Sequence, residues 1–167
     1  MDTLIERAND IRLLVLDVDG VLTDGRLIFS SRGEDQKCFH VRDGSGIVQL
    51  LKSGVQIAVI SGRQSKAVER RMGELGVTWV RQGISDKLAA LRELLDILAL
   101  GPQAVASVGD DTPDLPIFDV ARLAIAVADA HPSVKSQAHF ITQANGGQGA
   151  VREVCDLILE SQRRAPA

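Results

Sequence analysis

Two aspartates lie two positions apart at the end of an apolar run, in Leu13-Leu14-Val15-Leu16-Asp17-Val18-Asp19-Gly20. A strand places residues i and i+2 on one side, so Asp17 and Asp19 face one space and Val18 points away. Two close carboxylates repel unless a cation or a proton sits between them. A second acidic cluster, Asp110-Asp111-Thr112-Pro113-Asp114, follows another apolar run and Gly109. Asp111 or Thr112 also reads as a helix cap with Pro113 in the first turn, which explains one acid and not three. Hard oxygen ligands from two strand ends suit Mg²⁺, which takes one or two carboxylates and keeps waters or phosphate oxygens. Ser61-Gly62-Arg63 ends a third run. Its hydroxyl and amide can bind a phosphoryl oxygen, although Ser-Gly is equally a turn signal. Lys87 near the start of a helical segment opposes the helix dipole, a placement that a bound anion would explain.

The elements that must hold these groups follow from periodicity. Leu13–Leu16, Ile57–Ile60, Val77–Val80, Ala104–Val108 and Leu123–Val127 are near-continuous apolar runs, as in a parallel sheet buried on both faces. Segments of helical period lie between and after them, over Asp43–Lys52, Ser65–Leu75, Ser85–Leu100 and Gln148–Gln162. Ser85 reads as an N-cap and Gly101-Pro102 as a stop. The alternation predicts an α/β fold, a doubly wound, Rossmann-like, mostly parallel sheet. In such sheets ligands bind at the carboxyl ends of the strands, near a topological switch point. One insert, residues 24–43, predicts a β-hairpin with strands in Leu27-Ile28-Phe29 and Cys38-Phe39-His40-Val41 around a polar turn.

Composition bounds the rest. With 167 residues, 45% hydrophobic and 25% charged, the chain predicts a single globular domain over 1–167. Nineteen basic and twenty-two acidic residues give a net charge of −3, which offers no bulk attraction for nucleic acid or an anionic membrane. Cys38 and Cys155 match no metal spacing and no obligatory disulfide, which fits a reducing, cytoplasmic setting. The N-terminal MDTLIERANDIR is not a signal peptide, and no run approaches the roughly 20 apolar residues of a membrane span. The tail from Arg163 reads as frayed. Gly146-Gly147-Gln148-Gly149 could cradle an anion or act as a joint, but it lacks the P-loop pattern, and Gly44-Ser45-Gly46 lacks a dinucleotide fingerprint.

The order of the motifs, Asp-x-Asp, Ser, Lys and Gly-Asp-Asp, resembles the haloacid dehalogenase superfamily. The stretches DVDGVLTDG, FHVRDGSGI, ISGR, QGISDK, VGDDTPDLP, AVADAHP and GGQGAVREVCDLIL resemble its small, cap-less branch of sugar-acid phosphatases. Members of that branch release phosphate from an eight-carbon 3-deoxy sugar acid 8-phosphate destined for the lipopolysaccharide inner core. The resemblance implies that Asp17 is the nucleophile, forming an aspartyl-phosphate, and that Asp19 is the general acid and base. It implies that Ser61 and Lys87 bind the phosphoryl oxygens, and that Mg²⁺ is held by Asp17, the Asp19 backbone carbonyl and Asp110. Asp111 and Asp114 would orient metal waters or Lys87. The candidates for holding the sugar acid are His40, Val41, Arg42, Asp43, Gly44, Arg63 and Arg71, alongside Asp19 and Lys87. An arginine reads a carboxylate bidentately, although Arg71 could equally line a solvated helix face and Arg42-Asp43 could be a local pair.

Two other readings are open. A phospho-receiver module shares the aspartyl-phosphate, Mg²⁺, hydroxyl and Lys, but places its phosphorylated Asp on a later strand and lacks the acid two residues on. A phosphatase for a nine-carbon, sialic-type acid fits the same motifs. The hairpin insert, carrying Leu27, Ile28, Phe29, Phe39 and Val41, exposes strand edges that invite pairing. Together with the resemblance it implies a homo-oligomer of four chains whose hairpins pack together and whose subunits complete one another's sites.

Overall fold

The computed structural model describes residues 3–164, with side chains except at residues 34, 35 and 164. In chain order the elements are α1 (Leu4–Asn9), β1 (Leu13–Leu16), β2 (Ile28–Ser30), β3 (Gly33–Gln36), α2 (Val41–Lys52), β4 (Gln56–Ile60), α3 (Lys66–Leu75), β5 (Trp79–Arg81), α4 (Lys87–Leu98), β6 (Val105–Gly109), α5 (Leu115–Phe118), β7 (Leu123–Ala126), α6 (Pro132–Lys135), β8 (Phe140–Ile141) and α7 (Ala150–Arg164). Six strands form one sheet in the order β5-β4-β1-β6-β7-β8, and every pairing in it is parallel. The chain leaves β1 for β4 and β5 on one side, then returns past β1 to β6 on the other. The switch point is therefore at β1, the strand that carries Asp17.

Both faces of the sheet are covered, as the continuous apolar runs require. Leu14 and Leu16 of β1, with Ile57, Val59, Ala106 and Val108, face a core filled by Val151, Val154, Cys155 and Ile158 of α7 and by Ile47 and Leu50 of α2. Leu13 and Val15, with Ala58 and Ile60, face Leu91, Leu94 and Leu95 of α4. Burying each such side chain contributes roughly 1.5–3 kcal/mol, which makes β1 the stiffest available mount for a reactive carboxylate.

The structure moves several expected boundaries. The N-cap before Lys87 is Asp86, whose carboxylate accepts from Ala89 N at 3.0 Å, and not Ser85. That helix ends at Leu98 on Ala99, which takes a left-handed conformation (φ 52°), before Gly101. Helix α2 begins at Val41, two residues ahead of the expected start, because His40 caps it, its Nδ1 accepting from Arg42 N. In the hairpin, β2 pairs with Gly33–Gln36 and not with the apolar 38–41. Phe39 packs against the core. Helix α1 and β8 were not anticipated, although Thr3 and Glu6 form a capping box for α1. Helix α7 extends to Arg164; residues 165–167, the rest of the expected frayed tail, lie outside the described residues.

Candidate active site

Strand β1 delivers Asp17 and Asp19 into a loop fastened by two acceptors. The Val18 carbonyl accepts from the amides of Val21, Leu22 and Thr23 at 2.9–3.1 Å. Thr23 Oγ1 accepts from Gly20 N at 3.4 Å and Gly25 N at 3.2 Å. Gly20 sits at φ +90°, and a Cβ there would lie 2.0 Å from Asp110 Oδ2. Only glycine lets the two loops approach this closely. Gly146 and Gly147 brace the same loop from outside. Gly147 N donates to the Val21 carbonyl at 2.9 Å, and Gly146 N to Asp129 Oδ1 at 2.9 Å. The Gly146–Gly149 segment is thus a backbone support, not an anion cradle.

The expected residues Asp17, Asp19, Ser61, Arg63, Lys87 and Asp110 line one crevice of about 340 Å³ at the carboxyl end of the sheet. Lys87 is 6% exposed, and its Nζ lies 3.1 Å from Asp17 Oδ1 and 2.7 Å from Asp114 Oδ1. This pairing offsets the unfavourable place of a cation at a helix start. Ser61, 2% exposed, is held by its backbone, its amide donating to the Arg81 carbonyl and its carbonyl accepting from Ile84 N. Burial, with the charge of Asp114, pushes the Asp17 carboxyl up, against the opposing pull of Lys87. Burial and the charges of Asp17, Asp114 and Asp111 push Asp110 up as well.

Asp17, Asp110 and Asp114 each offer an oxygen within 4.8 Å of the others. Their repulsion and their hard donors fit a divalent cation, and the absence of a Cβ at Gly20 leaves room for Asp110 to reach it. Asp114 is already committed: Oδ1 accepts from Lys87, and Oδ2 accepts from the amides of Asp110 at 3.0 Å and Asp111 at 3.4 Å. These bonds tie Lys87 to the loop that carries Asp110.

A second group assembles apart from this crevice. His40, Asp43, Gly44 and Arg71 gather with Leu22 and Phe39 between α2 and α3. A Cβ at Gly44 would lie 2.4 Å from an Arg71 guanidinium nitrogen, so Gly44 lets Arg71 lie across the start of α2. Asp43 lines the second group from a buried position. It is 2% exposed, its Oδ1 accepts from Arg152 N at 2.9 Å, and it joins α2 to the start of α7. Its Oδ2 is buried without a hydrogen-bond partner among the described residues. Val41, 76% exposed, and Arg42 project to solvent.

One residue bonded to the crevice's Asp19 escaped the sequence reading. Lys37 donates to Asp19 Oδ1 at 2.6 Å. No local signal marks it, because its partner Asp19 stands eighteen positions away.

A cap-less Rossmann-like sheet with acids, a hydroxyl and a lysine at its switch point defines a hydrolase of the haloacid dehalogenase type; no second unit covers the crevice among the described residues. A profile of haloacid dehalogenase-like hydrolases matches residues 80–154. The 3-deoxy-D-manno-octulosonate 8-phosphate phosphatase of Yersinia pestis is 50% identical over 161 residues, 96% of this chain and 86% of the relative. Its crystal structure superposes with a TM-score of 0.94, covering 96% of this chain and 87% of the other. The phosphatase of the same name from Moraxella catarrhalis, solved with magnesium ion, phosphate ion and a KDO molecule, is 42% identical, with a TM-score of 0.93 and coverage of 96% and 92%. The cobalt-bound form of the Haemophilus influenzae phosphatase is 40% identical, with a TM-score of 0.92 and coverage of 95% and 92%. The chain belongs to the 3-deoxy-D-manno-octulosonate 8-phosphate phosphatase family of the haloacid dehalogenase superfamily.

Proposed function

We infer that the protein is a Mg²⁺-dependent phosphatase that hydrolyses 3-deoxy-D-manno-octulosonate 8-phosphate to the sugar acid and phosphate, in lipopolysaccharide inner-core synthesis. The observation that carries the reading is the Asp17–Lys87–Asp114 chain of contacts beside Asp19 and Asp110, in a chain half identical to phosphatases of that substrate. Asp17 attacks phosphorus in line and takes the phosphoryl group as an aspartyl-phosphate. Asp19 gives a proton to the departing sugar oxygen, then takes one from the water that frees the phosphate. Ser61 and Lys87 bind the non-bridging oxygens. Asp17, the Asp19 backbone carbonyl and Asp110 would hold the cation, whose charge would shield the repulsion between the anionic nucleophile and a phosphate dianion.

Arg63, 45% exposed at its side chain, stands at the crevice and meets the sugar. Arg71 beside the start of α2 takes the carboxylate, with His40, Val41, Arg42, Asp43 and Gly44 around it. The crevice and this group are lined by different residues, and we take one subunit's α2 region to complete another's crevice. Leu27, Ile28 and Phe29 are exposed at 40%, 46% and 59%, an apolar strip on the hairpin that suits packing between subunits of a homotetramer. We take residues 1–167 as one phosphatase domain with the hairpin as its insert, acting in the cytoplasm. No helix among the described residues is long and apolar enough to cross a membrane.

The deciding experiment measures phosphate release from phosphorylated eight- and nine-carbon sugar acids with and without Mg²⁺. The reading expects the eight-carbon ester to be preferred and turnover to vanish with chelator. Preference for the nine-carbon ester would transfer the substrate to the sialic-type acids, and stoichiometric phosphorylation without turnover would favour a receiver.

A further inference from the structure

We propose that Lys37 is a positioning residue for Asp19, holding its carboxylate in the orientation from which a proton passes to the leaving oxygen. The proposal rests on the phosphatase reading of the crevice. Lys37 Nζ reaches Asp19 Oδ1 at 2.6 Å, and the Lys37 side chain is 1% exposed while that of Asp19 is 20% exposed. Lysines are almost never buried to this degree unless paired, so the contact is a built one and not a surface encounter. On the other oxygen, Arg63 Nε stands 3.9 Å from Asp19 Oδ2, beyond hydrogen-bond length. Oδ1 is thus anchored, and Oδ2 is the atom left to exchange a proton.

The chain around Lys37 explains why the anchor is firm. Strand β3 ends at Gln36, immediately before it. Phe39, two residues on, packs against the core, and His40 caps α2. The lysine is therefore clamped between a paired strand and a capped helix. The terminal torsion of an aspartate is broad, so an unanchored Asp19 would sample several orientations. A misplacement of about 1 Å can cost about 10²-fold in rate. The hairpin makes a second contact with the same carboxylate's surroundings: the Arg63 guanidinium lies over the Phe29 ring, its carbon 5.8 Å from the ring centre. The insert therefore reaches the acid/base from both sides, through Lys37 and through Phe29–Arg63.

Leaving-group chemistry separates positioning from mere structure. A sugar oxygen departs only as it gains a proton, whereas p-nitrophenolate departs without one. Because kcat/KM reports the steps up to formation of the aspartyl-phosphate, the test compares kcat/KM of Lys37→Met in the full chain on the phosphorylated sugar acid and on p-nitrophenyl phosphate. The expected fall is about 10²-fold on the sugar ester and under about threefold on the aryl ester. In an Asp19→Asn background, Lys37→Met should cost nothing further on the sugar ester, and ethylamine should restore part of that rate to Lys37→Ala. The ratio between substrates does not depend on how much of a variant folds, so a destabilised protein still reports. Equal losses on both esters, or a full additional loss in the Asp19→Asn background, would overturn the positioning role while leaving the phosphatase reading intact. Failure of the unmutated protein on both esters would overturn both.

Discussion

At the scale of single residues, the site is a balance of like charges. Asp17, Asp110 and Asp114 converge within 4.8 Å, and Lys87 compensates two of them. The remaining repulsion destabilises the folded chain until a cation neutralises it. Mg²⁺ binds the folded form and should raise the melting temperature in a concentration-dependent way, and Asp110→Ala should abolish most of that rise. Thermal unfolding across a Mg²⁺ titration checks both. For Asp17→Asn, phosphate release should vanish while circular dichroism stays native, because the amide keeps the shape but cannot carry the phosphoryl group. Asp19→Asn should slow turnover of the sugar ester by about 10²–10⁴-fold, read from steady-state phosphate release.

At the scale of elements, loops at the carboxyl ends of the strands are held by one another. A Cβ on Gly146 would lie 1.7 Å from the Gly20 carbonyl oxygen, so the contact is backbone to backbone and cannot relax by rotating a side chain. Gly146→Ala should destabilise by about 1–3 kcal/mol, the usual cost of overpacking, in urea unfolding, and should lower turnover because it displaces the loop that carries Asp19. At the far edge, Ala124 N donates to His139 Nδ1 at 2.9 Å, so that nitrogen must stay bare. Partial burial and the charges of Arg7 and Arg122 hold the imidazole below its ordinary range. Protonation therefore works against the fold: the contribution is present above the model-peptide value of about 6.5 and is lost as pH falls through the lower folded value. Melting temperature should dip slightly from pH 7 to pH 5, and His139→Gln should shrink that dip.

At the scale of the whole molecule, the proposed tetramer would complete a cap-less crevice from a neighbouring subunit. Phe39, an attractive candidate for subunit contact on its apolar character, is packed inward, and the exposed strip is Leu27, Ile28 and Phe29. Phe29→Asp should therefore split the proposed oligomer in light scattering and lower sugar-acid turnover more than aryl phosphate turnover. A fully active monomer in the unmutated protein would remove the hairpin from the assembly.

Periodicity and short motifs alone determined five of the sheet's six strands, the order of its motifs and the end of the strands at which they act. These are local or nearly local properties: five apolar runs, Asp-x-Asp, Ser-Gly and Gly-Asp-Asp each carry their own signal. Burial and pairing across sequence were decided by the tertiary structure. Asp43 stands beside Arg42 in sequence, yet the partner of its Oδ1 is the backbone of Arg152, 109 positions away. Phe39 and Val41 are equally apolar and only two positions apart, yet one faces the core and the other water, because α2 begins between them and the two-residue alternation of a strand stops applying. Lys37 gains its place from Asp19, eighteen residues earlier, through a hairpin whose strands pair in a register that apolar character alone does not specify.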